Sequence, residues 1–80
     1  MKHEITTKYS SVHIFYEGGS ATLDDYSVPW FQKLDESEVK TFCSSAHSNG
    51  TAALEDNYNN KLTLVYNSDD ETYTLRLRDY

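Results

Sequence analysis

Residues 61–79, KLTLVYNSDDETYTLRLRD, alternate apolar and polar side chains on either side of an acidic turn. Leu62, Leu64 and Tyr66 share one face of the first run, and Tyr73, Leu75 and Leu77 share one face of the second. Side chains alternate across a strand with a period of two, so each run reads as a strand with one apolar face. Folding about Asp69-Asp70 sets Tyr66 opposite Tyr73, Leu64 opposite Leu75 and Leu62 opposite Leu77. Three apolar cross-strand pairs in one register specify a hairpin.

The residues before this hairpin supply one helix and further strands. Asp35 caps a helix with Glu38 at its third position, and Leu34 and Val39 have the spacing of a hydrophobic staple. Val39, Phe42, Cys43 and Ala46 recur at helical spacing as one apolar stripe. Asn49-Gly50 supplies a left-handed stop, which bounds the helix at about residues 36–48. TAALED, residues 51–56, reads as a short strand joined to the final hairpin by Asn57-Tyr58-Asn59-Asn60.

Nearer the N-terminus, VHIFY (12–16) and SATLD (20–24) flank Gly18-Gly19. That pattern predicts a second hairpin through a type I′ turn, with Ile14 opposite Leu23 and Tyr16 opposite Ala21. Ile5, Thr7 and Tyr9 alternate on odd positions, whereas Val12, Ile14 and Tyr16 alternate on even ones. The slip predicts a bulge or turn at Ser10-Ser11. Val28-Pro29 is expected to be extended, separating this hairpin from the helix. The order predicts a small α+β domain spanning residues 1–80, an antiparallel β-sheet of about four or five strands with the helix packed on one face.

Size and composition narrow the function classes. For a chain of 80 residues the folded surface scales to roughly 4,900 Å², against roughly 13,300 Å² unfolded. One thin core fits within that surface and a deep pocket does not, which favours a binding module over an enzyme. Hydrophobic residues are 38% of the chain and aromatics 14%, with seven tyrosines, too rich for a disordered segment. No apolar run is long enough to span a membrane, and residues 1–19 hold no apolar segment of the secretory kind. The single cysteine, Cys43, excludes an internal disulfide and suits a reducing compartment, so a cytoplasmic location is expected.

The net charge is −6, and residues 24–56 carry most of it, with seven acids against Lys33 and Lys40. A field of this sign repels phosphate backbones and anionic lipid and attracts basic surfaces. Direct binding to nucleic acid or membrane is not expected.

No catalytic or metal motif emerges. His3, His13, His47 and Cys43 lack the short convergent spacing of a structural zinc site. Cys43 and His47 are four residues apart on the expected helix. Cys43 belongs to the apolar stripe, where burial raises a thiol pKa and makes it inert. The carboxylate pairs Asp24-Asp25, Asp35-Glu36, Glu55-Asp56 and Asp69-Asp70 read mostly as solubilising surface and helix caps. No calcium-loop rhythm is present, and no cofactor is implied.

The stretch TLDDYSVPWFQKLDESE, residues 22–38, places Tyr26, Trp30 and Phe31 between two acidic clusters. Tyr and Trp are favoured at binding hot spots, and acidic neighbours suit a basic target. Asp24, Asp25, Tyr26, Trp30, Asp35 and Glu36 are therefore the expected partner-binding residues, with Trp30 and Phe31 divided between core and contact. The expected partner is a basic protein surface, that of a nucleic-acid-binding protein or nuclease.

The function that follows is a protein-binding inhibitor that occludes such a surface, its carboxylates standing where the target holds phosphates. No residue-level motif ties the chain to a family. In size and composition it resembles phage anti-defence proteins, such as anti-CRISPR proteins, and immunity proteins against nuclease toxins. The alternative is a non-catalytic accessory or oligomerisation module, a homodimer among its forms, pairing through a sheet edge or the exposed aromatic face at Phe15.

Overall fold

Five strands and two α-helices, with one wide helical turn at Leu23–Ser27 ahead of the first helix, make up the computed structural model, which describes residues 2–78. They are β1 (Lys2–Ile5), β2 (Ile14–Glu17), α1 (Val28–Gln32), α2 (Glu36–Asn49), β3 (Thr51–Glu55), β4 (Lys61–Asn67) and β5 (Thr72–Leu77). The five strands form one sheet in the order β1-β2-β5-β4-β3. The final hairpin occupies its interior in the expected register, with Tyr66 opposite Tyr73, Leu64 opposite Leu75 and Leu62 opposite Leu77. Asp79, at the end of the run that predicted this hairpin, lies outside the described residues.

The core lies between one face of the sheet and the helices. Leu62, Leu64 and Leu75 are fully buried there, with Ile5, Ile14 and Leu54 beside them. Val39, Cys43 and Ala46 of α2 close over them, so the stripe at helical spacing faces the stripe at strand spacing. Each buried aliphatic side chain contributes about 1.5–3 kcal/mol relative to leaving it in water. The α+β class is thus explained by two apolar periodicities that cover each other.

The helix ends are where they were expected. Asp35 and Glu38 form the capping box, and the Asp35 N–H donates to Glu38 Oε1 at 3.4 Å. Gly50 adopts φ 87° and donates its N–H to the Ala46 carbonyl, ending α2 and starting β3. A turn at Ser10-Ser11 separates β1 from β2, and Ile5 pairs with Ile14 across it.

The second hairpin is absent, and SATLD is not a strand. A type I′ turn needs positive φ at both central residues, and only Gly19 has it, at 106°. After that glycine the chain turns helical, and residues 21–32 are helical throughout. The Ser20 hydroxyl accepts the Leu23 N–H at 3.3 Å, an N-terminal cap. Leu23, Ser27, Val28 and Phe31 are buried at the spacing of one helix face.

Val28-Pro29 is not extended either. Leu23–Ser27 form a single wide turn in which the Val28 N–H reaches back five residues to the Leu23 carbonyl. Pro29 then enters the first turn of α1, and Val28 is helical at φ −66° and ψ −47°. In a regular helix the proline ring would press on the carbonyl four residues back. A wide turn loosens the ladder at that point. Burial of Val28 and Phe31 offsets the unfavourable geometry of the residue before proline.

Losing that strand changes the sheet. The edge that would have paired with residues 20–24 pairs with the C-terminal strand, so β2 and β5 run parallel, with Ile14 opposite Tyr73 and Tyr16 opposite Leu75. The sheet is mixed, not wholly antiparallel. A parallel pair needs a long crossover, here supplied by everything from α1 to β4.

Candidate protein-binding surface

A buried carboxylate anchors the surface. Asp56, expected on the outside beside Glu55, is only 5% exposed. Its Oδ2 accepts the hydroxyl of fully buried Ser27 at 2.8 Å and the Asn60 side-chain amide at 2.9 Å. Its Oδ1 accepts the backbone N–H of Tyr58 at 2.8 Å and of Asn60 at 3.0 Å. Burial alone would push its pKa up, but the hydrogen bonds from Asn60, Ser27 and Tyr58 outweigh burial and hold it below the usual Asp value. The carboxylate therefore stays ionised and ties the wide turn before α1 to the β3–β4 loop.

That tie sets two aromatics side by side, because Tyr26 precedes Ser27 and Tyr58 follows Asp56 by two residues. Their ring centroids lie 4.8 Å apart with the planes at 57°. Both remain open to solvent, at 47% for Tyr26 and 59% for Tyr58. Trp30 is half-buried, its ring edge-on to Phe31 at 6.2 Å, while Phe31 is wholly inside the core. Phe31 is thus core, and Trp30 serves both core and surface.

Tyr26, Trp30 and Tyr58 line a groove of about 240 Å³ together with Pro29, Leu34, Asp25 and Lys33. Asp25 is exposed, and its carboxylate has no hydrogen bond or ion pair among the described residues. Its neighbour Asp24 is exposed and accepts the Gly19 N–H at 3.4 Å.

The six residues expected to meet a partner therefore divide. Asp25, Tyr26 and Trp30 converge on the groove, and Asp24 lies beside them on the same turn. Asp35 and Glu36 do not line it. Asp35 is committed to the cap of α2 and lies 3.8 Å from the Lys8 ammonium, while Glu36 is exposed in the first turn. Tyr58 is the residue that sequence reasoning missed. Its signal was a bulky aromatic in an asparagine-rich turn, where nothing local would bury it.

The remaining reactive groups lie elsewhere. Cys43 is 2% exposed, and burial pushes its thiol up to about 11, so it is protonated at neutral pH. His47 lies against the Tyr66 ring at 4.6 Å. Among the described residues no three His, Cys, Asp or Glu side chains converge as metal ligands. No helix among them is long and apolar enough to cross a membrane. On the opposite sheet face Phe15 lies beneath the Lys2 ammonium at 4.8 Å. Compared with protein-family models, curated proteins and solved structures, the chain matches none.

Proposed function

We propose that the protein is a stoichiometric, non-catalytic inhibitor that binds and occludes a basic, nucleic-acid-binding surface of a target protein. The observation that carries this reading is the exposed Tyr26–Tyr58 pair beside Trp30, held in place by Ser27 and Asp56, with the exposed carboxylate of Asp25 in the same groove and that of Asp24 next to it on the same turn. Aromatic anchors set in position before binding lose little entropy on association, and adjacent carboxylates select a partner of opposite charge. Anti-defence and immunity proteins are the classes of inhibitor this chemistry fits.

The test begins with capture of binding proteins on the immobilised chain, followed by a salt titration of the complex. The expected result is a basic, nucleic-acid-binding partner whose affinity falls about tenfold or more between low and moderate salt. Its nucleic acid should be displaced as the complex forms, and Asp24→Lys with Asp25→Lys should abolish capture. Salt-insensitive binding, or binding that leaves the nucleic acid in place, contradicts the proposal.

One observation favours the alternative of a self-associating module. The edge strand β3 carries a single charged residue, Glu55, and that carboxylate is tied to Lys61. A lightly charged edge is open to pairing with another strand. A dimer mass in light scattering at micromolar concentration would support that reading.

A further inference from the structure

We infer that the groove between Tyr26, Trp30 and Tyr58 receives the guanidinium of one arginine from the basic partner, stacked on the aromatic faces and paired with Asp25. The inference rests on the proposed function and narrows it to one side chain. At about 240 Å³ the hollow falls below the size of a typical small-molecule or cofactor site, which begins at roughly 300 Å³. It suits an inserted side chain.

Three aromatic residues at one opening provide the negative ring faces that attract a cation. The two tyrosine planes meet at 57°, forming a corner and not a closed stack, so both rings keep exposed area. Asp25 supplies a carboxylate with no partner among the described residues. Arginine fits this pair of features better than lysine, because a planar guanidinium stacks on a ring and meets a carboxylate with two parallel hydrogen bonds. Lys33 also lines the groove, and its positive charge opposes a cation and weakens the site in isolation. The corner itself is fixed in advance by the Ser27–Asp56 bond and by the Tyr58 N–H on Asp56.

Trp30 is the only tryptophan, so its emission reports directly on the groove. The experiment titrates the full chain with N-acetyl-arginine amide, its lysine counterpart and the neutral citrulline counterpart, at constant ionic strength. The arginine probe should give a saturable change with half-saturation at about millimolar concentration. Lysine should bind about threefold or more weakly, and citrulline should give no saturable change. Tyr58→Ala should weaken arginine about fivefold, Tyr58→Phe should restore it because the ring carries the attraction, and Lys33→Gln should tighten it about twofold. Tyr58 is largely exposed, so an unchanged urea midpoint shows that these variants fold.

Equal binding of citrulline, equal or tighter binding of lysine, indifference to Tyr58→Ala, or the lack of any saturable arginine response overturns the inference. The two proposals fail separately. A basic partner lost on Asp24→Lys with Asp25→Lys but indifferent to Tyr58→Ala leaves the inhibitor standing without this site. Saturable arginine binding with no salt-sensitive partner leaves the site without the inhibitor.

Discussion

Replacing Asp56 with alanine removes the acceptor on which the surface is organised, and the cost can be worked from its partners. The Ser27 hydroxyl is fully buried and would lose its only acceptor among the described residues, which costs about 1–3 kcal/mol for an unsatisfied buried group. The Tyr58 and Asn60 groups are nearer water and partly rehydrate, so together they add about 1 kcal/mol or slightly more. A total of about 3 kcal/mol follows, which lowers the Tm of a domain this size by roughly 12–24 °C. Urea unfolding followed by Trp30 emission measures it, together with Ser27→Ala and the double variant. Because Ser27→Ala removes the hydroxyl that Asp56→Ala strands, the two changes should couple by about 1 kcal/mol. A cost for Asp56→Ala below about 1 kcal/mol, or strict additivity with Ser27→Ala, would refute this account of the site.

The same carboxylate sets an acid limb in the stability curve. Its folded pKa lies below the ordinary value of 3.8, so the unfolded chain binds more protons in that range and stability rises with pH. The contribution is complete above the unfolded pKa and is lost as pH falls through the lower folded one. Asp56→Asn should flatten this limb without removing it. Asp70, whose carboxylate accepts the Thr72 hydroxyl at 2.6 Å, is also lowered, by that bond first, and titrates in the same direction.

Two further outcomes test the core. Leu64→Ala empties a fully buried position inside the sheet and should cost about 2–5 kcal/mol by urea denaturation, and a loss under 1 kcal/mol would argue against the packing described. Cys43 should react with a neutral thiol reagent at pH 7.5 only at the rate of local opening, accelerating sharply with urea, whereas rapid labelling in native buffer would contradict its burial.

Legibility in the sequence followed the range of the forces involved. The final hairpin and α2 were readable because their determinants are local: strict alternation around a turn, a capping box, a staple and a glycine stop. Residues 20–32 misled because two local signals pointed the wrong way. A paired glycine suggested a hairpin, and a proline suggested a helix boundary. The counter-signals were present in the Ser20 cap and the helical spacing of Leu23, Ser27 and Phe31, but propensity alone gives them less weight than Gly-Gly and Pro. The burial of Leu23, Val28 and Phe31 under the sheet outweighs both.

The sequence by itself determined the α+β class, the register of the central hairpin, the limits of the main helix, and the acidic, tyrosine-rich character of residues 22–38. It also placed Asp24, Asp25 and Tyr26 on the surface. Only the tertiary structure decided that β2 lies parallel to β5, that Asp56 is buried, and that Tyr58 comes from 32 residues away to stand beside Tyr26. The physical reason is that a buried hydrogen bond such as Ser27–Asp56 leaves no periodic trace along the chain. It exists only once two distant turns are brought together by the core beneath them.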